Sequence, residues 1–267
     1  MTEPSISTPA TQSVLAQPVP ISALLSLWVN AWCVGDVSGD SLADAMTTVG
    51  ANRIVGARPP KSELSGPTGL ITGLAELGIS PANRQLPAMR VSLPTAGDPR
   101  GLPGPKDLNI AALDAGQVAI VDQLNVALVP STGDNPTVVM WTAYQTALDV
   151  PPTVAVRPEE APTAVRAALH SAMASLAELD LATSSMTVRN QMRALSRALE
   201  RTPLPPALAG QDRHTIHTAA TVIAICEFAL ADNPNQPTAT LERERRRVLV
   251  ELSATARHSL AATCSAR

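Results

Sequence analysis

The chain has 267 residues, 45% of them hydrophobic and 16% charged, with a formal net charge of -3. That size and apolar content can bury a core, which excludes disorder of the whole chain. The weak charge leaves no basic field for a polyanion, and Trp28, Trp32, Trp141, Tyr144 and Phe228 are too few rings for a base-stacking groove, so nucleic acid is not an expected partner.

Residues 1–19 are Ser, Thr, Pro and Gln with scattered apolar residues, and read as a disordered leader. No Lys or Arg precedes the first apolar stretch, so no secretory segment is expected. Leu24, Leu25, Trp28, Val29 and Trp32 then recur at helical spacing, with Gly35 placed as a C-cap. Ser38 is placed to cap a second short helix carrying Leu42, Ala45 and Met46.

A strand is expected over Arg53 to Ala57, then a turn-rich segment from Arg58 to Pro67. A helix over about 68–77 ends at Gly78, and a strand over Ala88 to Leu93 follows. In that strand Met89, Val91 and Leu93 alternate with Arg90 and Ser92, the period of a sheet with one wet face. Beyond the loop at 94–105, a helix carries Ala111, Ala112, Leu113 and Ala115. Strands are expected at Val118 to Val121 and Val126 to Val129, turning near Asp122 to Asn125, with a further one at Thr137 to Tyr144. Four or five strands result, antiparallel in the later part because the connections are too short for a crossover.

Pro151 and Pro152 mark a boundary, and after it the pattern is purely helical. Pro158 with Glu159 and Glu160 suits a helix start. Val165, Leu169, Ala172, Leu176 and Leu179 form the first seam; Val188, Met192, Leu195 and Leu199 form the second, over about 184–200, which Pro203, Pro205 and Pro206 end. The third helix, about 211–232, is apolar nearly all round and is expected to be the most buried. The fourth, about 238–263, carries Leu241, Val248, Leu249, Leu252, Ala256 and Leu260. The fold class is therefore α+β: a small, mixed, mainly antiparallel sheet with helices over 20–150, followed by an all-α four-helix bundle over 158–265.

No membrane contact is expected, because the apolar windows 21–34 and 219–231 fall short of the ~20 residues of a span and contain Asn30 and Glu227. Cys33, Cys226 and Cys264 are odd in number and far apart in sequence. A disulfide framework is not expected from them, and a reducing, cytoplasmic setting is.

The most distinctive stretch is Gly97 to Pro105, which leads into a helix near Lys106. Asp98, Arg100, Gly101, Gly104 and Lys106 are the candidate ligand-binding residues: backbone N–H groups and a helix dipole can receive an anion, with Trp141 or Tyr144 nearby. The plainer reading is a proline-stiffened connection, since no phosphate-loop motif is present and proline removes donors. His214 and His217, three apart on a helix, have the spacing of two metal ligands, but no matching Glu-x-x-His completes a site and no metal is expected. His170 and His258 stand isolated. Glu242 to Arg247 reads as a solvated face of local ion pairs, and Trp28 with Trp32 as core or domain-packing residues. No catalytic nucleophile motif occurs.

The Gly97–Pro105 loop with Ala111-Ala112-Leu113-Asp114-Ala115-Gly116, and Leu204-Pro205-Pro206 before a helix ending in Glu227-Phe228-Ala229-Leu230-Ala231-Asp232, resemble motifs of an uncharacterised family of actinobacterial conserved proteins, over most of residues 20–260. The resemblance implies no activity, ligand or cofactor. The expected function is that of a non-catalytic intracellular interaction or regulatory protein, engaging a protein partner or a second copy of itself. The alternative is a small-molecule binder or enzyme using the 94–107 loop.

Overall fold

In the computed structural model, the structure describes residues 17–56, 67–81, 89–132, 135, 137–147, 156–178, 186–231 and 239–265. Outside them lie most of the expected leader, the turn-rich segment up to Gly66, Pro151 and Pro152, and the seam residue Leu179, as does the side chain of Val188. Val19, placed in the leader by composition, is fully buried in the core.

The apolar run Ile21–Val34 forms α1, in which every residue but Val34 is buried. Gly35 ends it with φ +88°, a left-handed conformation that costs glycine little. The Ser38 hydroxyl accepts the Ser41 N–H to start α2, Gly39–Thr47. Then come β1 (Ala51–Val55), β2 (Thr68–Gly69), α3 (Leu70–Glu76), β3 (Arg90–Ser92), α4 (Lys106–Ala115), β4 (Val118–Val121), β5 (Val126–Thr132) and β6 (Val138–Gln145). The expected helix at 68–77 therefore begins with two residues of strand, which supply the sixth member of the sheet. Gly73 lets α3 lie directly on β1, since a Cβ there would stand 2.8 Å from Ile54 Cβ.

Sheet order is β2-β1-β6-β5-β4-β3, with β1 and β6 parallel and every other pair antiparallel. Period-2 alternation splits its side chains between two cores. Val118, Ile120, Ala127 and Val129 pack under Leu108 and Ala112 of α4. Ala119, Val121, Leu128, Trp141 and Ala143 face the main core with α1 and the C-terminal helices. The expected wet face of β3 is not wet: Ser92 Oγ donates to the Arg100 carbonyl at 2.9 Å and Arg90 Nη1 to the Gly101 carbonyl at 2.8 Å, so the following loop covers it.

Four helices follow: α5 (Ala161–Glu178), α6 (Met186–Glu200), α7 (Gly210–Ala231) and α8 (Ala239–Ser265). Overall the fold is α+β. α8 is the hub, packing on α5 and α7 and also on β3 and α1, so the main core runs through both parts of the chain. α6 has α7 as its one substantial neighbour among the described elements. Within the bundle the most buried helix is α8 and not α7; on α7 Ile225 is 40% exposed, and Ile223 and Leu230 are half-buried. α7 is also the one helix among the described residues long and apolar enough to cross a membrane, with a third of its apolar window buried.

A polar row, Ser22, Ser26 and Asn30, runs down α1 at four-residue spacing. Asn30 Nδ2 donates to the Met89 carbonyl at 2.9 Å and Asn30 Oδ1 accepts the Met89 N–H at 2.7 Å, while the Ser26 hydroxyl stands between the carbonyls of Met89 and Cys264.

Candidate functional site

Within the 94–105 loop, Thr95 and Asp98 exchange backbone hydrogen bonds around Gly97, which has φ +88°. This turn aims the Asp98 carboxylate back at Arg100, whose Nε and Nη2 donate to its two oxygens at 2.6 and 2.9 Å. His258 of α8 meets the same carboxylate at 2.7 Å through Nε2. Arg100 first, and then His258, hold the Asp98 carboxyl down at about 2. Behind the loop Arg90 makes a two-point ion pair with Asp122 at 2.6 and 2.9 Å. Gly101, at φ +85°, leaves room for Ser92 Oγ, which a Cβ would meet at 3.0 Å.

Gly104 donates its N–H to Asn109 Oδ1 and accepts the Ala147 N–H. Lys106 is exposed at the first turn of α4, with no described partner. The five candidate residues therefore do not converge. Asp98 and Arg100 neutralise each other, Gly101 and Gly104 serve backbone contacts, and Lys106 stands alone. Tyr144 lies near the loop, against the core under α4, whereas Trp141 is buried on the other sheet face, donating to Asn52 Oδ1 at 2.8 Å. The proline-stiffened connection is the reading these contacts favour.

The Asp98 carboxyl has a folded pKa below its unfolded one, so its contribution to stability is complete above about pH 4 and falls away as the pH drops towards about 2. Asp98→Asn should remove that part of the acid sensitivity. Urea midpoints taken from about pH 5 down to about pH 2 test this, and parallel curves for both proteins would refute it.

Elsewhere the chemistry-bearing groups are engaged or buried. His214 is exposed, while the His217 Nε2 is buried without a partner, and burial, then Arg213 and His214, lower its pKa. Among the described residues no three His, Cys, Asp or Glu side chains are grouped to hold a metal ion. Cys33 and Cys226 are unpaired, with thiols pushed up to about 11 by burial, and burial raises Cys264 as well. Such thiols stay protonated and inert at neutral pH. On α8, Arg247 pairs with Glu244 and Glu251 as a solvated face should. Arg245 departs from that pattern: it is 8% exposed and donates to the Ala229 carbonyl. Its spacing from Leu241, Val248 and Leu252 puts it on the apolar face, a signal present in the sequence.

A concavity lies elsewhere, between the α/β layer and α6–α7. It is a groove of about 1040 Å³. Its apolar lining includes Ala194 and Ala198 of α6 and Ile223, Ala224 and Phe228 of α7. Its lining also carries uncharged hydrogen-bonding groups, including Thr47, Thr48, Thr95, Gln117 and Thr137. Its charges, Glu227 and Arg257, pair at 3.2 Å. Sequence reasoning missed this site because its walls come from eight separate stretches.

Comparison with known proteins finds two family models. The Rv1486c-like protein, N-terminal domain, matches residues 22–160, and the Rv1486c-like protein, C-terminal domain, matches residues 159–261. No curated protein and no solved structure matches the chain.

Proposed function

We propose, for a chain that belongs to the Rv1486c-like protein family, a non-catalytic role in which the groove between the α/β layer and α6–α7 receives an apolar-faced segment of a protein partner. The family is uncharacterised, so the reading rests on this chain's own geometry. The observation that carries it is the groove itself, whose lining joins apolar side chains of α6 and α7 with threonine and glutamine side chains of the α/β part. An amphipathic helix or extended segment fits such a surface: its apolar face meets Ile223 and Phe228, and its backbone or polar face meets the threonines.

Two further facts support it over chemistry. Among the described residues, no hydroxyl or thiol hydrogen-bonds to a histidine ring, the pairing that activates a nucleophile. Arg100, the cation best placed to anchor an anion in the loop, already holds the Asp98 carboxylate. Three unpaired buried thiols support a reducing, cytoplasmic setting.

A photo-cross-linking amino acid at Ile223 should capture one protein species in intact cells. The product should disappear when Ala194 on the facing part of the wall is changed to arginine, which fills the groove with a charge while leaving the core untouched. Cross-linking that survives Ala194→Arg, or none at all from a folded protein, would refute the reading.

A further inference from the structure

The lining of the groove includes the point at which the chain enters α1. Gln17, Pro18 and Pro20 stand on its surface, Val19 among them is fully buried, and Gln117, a further lining residue, accepts the Ser22 N–H at 2.9 Å. The first turn of α1 is thus fastened at the groove, and Ala16 starts one Cα step of ~3.8 Å from Gln17. Proline at 18 and 20 fixes φ, and a residue that precedes proline is driven to extended backbone, so the chain arrives here extended and not as a further turn of helix.

Residues 1–16 lie outside the described residues, but their composition suits the surface they adjoin. From Pro4 to Ala16 there is no charged residue, and after a run of Ser, Thr, Pro and Gln the stretch ends in Val14, Leu15 and Ala16. The groove has the same character, because its Glu227 and Arg257 pair with each other. Ala194, Ala198, Ala220 and Ala224 make much of its α6–α7 lining small, which leaves room for the branched side chains of Val14 and Leu15. Its volume of about 1040 Å³ lies at the top of the ~300–1,000 Å³ range of ligand sites and holds a short length of peptide. Tethering favours the nearest such peptide: a segment joined to the lining within a few peptide bonds is present at an effective concentration of order millimolar, which a separate chain does not reach.

We infer that residues 6–16 of the same chain occupy the groove, with Val14 and Leu15 against α6 and α7, so that the site blocks itself until a partner segment displaces them. This rests on the groove as the binding site and adds its regulation. An apolar-faced partner has to outcompete a tethered segment, and whatever draws that segment away opens the site.

The purified full-length protein tests this with no partner present. A photo-cross-linking amino acid at Ile223 should join to a residue between 6 and 16 of its own chain, as read by peptide mass spectrometry. In a mixture of isotopically heavy and light protein the product should contain no heavy–light hybrids. Val14→Asp combined with Leu15→Asp should abolish it, and so should Ala194→Arg, which places a charge on the groove surface; with two independent variants, misfolding of one leaves the other to decide. Hybrid products would give the groove to a second copy of the chain, and cross-links that avoid residues 6–16 or survive both variants would remove this occupant. Either result overturns the inference. The groove reading is decided separately by what Ile223 captures in intact cells: a partner product there, with no own-chain product from the purified protein, keeps the groove and removes its self-block.

Discussion

Asn30→Leu should destabilise the fold by about 1–3 kcal/mol, because it leaves the buried Met89 N–H without its partner while the Met89 carbonyl keeps the Ser26 hydroxyl. Asn30 is 5% exposed, and its carboxamide matches both the N–H and the carbonyl of Met89, one residue ahead of β3. The amide thus acts as a one-residue strand partner donated by a helix. Leucine has the same side-chain branching and heavy-atom count with bulkier methyls, so the loss reports the amide's hydrogen bonds together with a small packing contribution. Against a total of about 5–15 kcal/mol for a typical domain, the urea midpoint should fall by a large fraction with the slope preserved. An unchanged midpoint would show that Met89 finds other partners, and the account of α1 as a polar spine would fail.

Trp141→Ala should cost about 3–5 kcal/mol, the range for emptying a large aromatic site in a core. Trp141 is fully buried on β6, the strand that joins the parallel and antiparallel halves of the sheet. Its Nε1 donates to Asn52 Oδ1, and Asn52 Nδ2 in turn reaches the carbonyls of Met46 and Gly50. Trp141→Phe keeps most of the volume and removes the donor, so it should lose about 1–3 kcal/mol. Circular dichroism under urea distinguishes them. Equal losses in the two variants would mean that the hydrogen bond to Asn52, which both remove, carries the whole effect and packing adds nothing; a Trp141→Phe protein as stable as the native one would mean that the hydrogen bond contributes nothing.

The helices were legible because their signals are local. Gly35 and Ser38 act as the caps their identity suggests, and β4 occupies the four residues that its β-branched run marks. The sheet order was less so, since β1 lies parallel to β6 across most of the α/β part and no short-range pattern encodes that pairing. For the loop, the sequence showed the turn chemistry but not the partner that settles it: His258 is 160 residues from Asp98. The dry face of β3 was hidden for a related reason. Arg90 and Ser92 are polar, as a wet face requires, but their donors go to loop carbonyls and not to water. Arg245 was misread through its neighbours, where charge on both sides masked a position in the apolar heptad.

β3 closes one end of the sheet, and side chains take backbone groups on its outer side: the Val91 N–H goes to Ser265 Oγ at 2.9 Å, and Met89, just before the strand, pairs with Asn30. An unsatisfied strand margin is a template on which another chain can add itself. Here the final turn of α8 supplies one of those partners, so a chain cut back before Cys264 would free the Val91 N–H for pairing with another chain while α1 still holds Met89. Fraying at this terminus should therefore expose an edge donor of β3, and the same Ser265 hydroxyl that ties the end of α8 to the sheet also covers that donor.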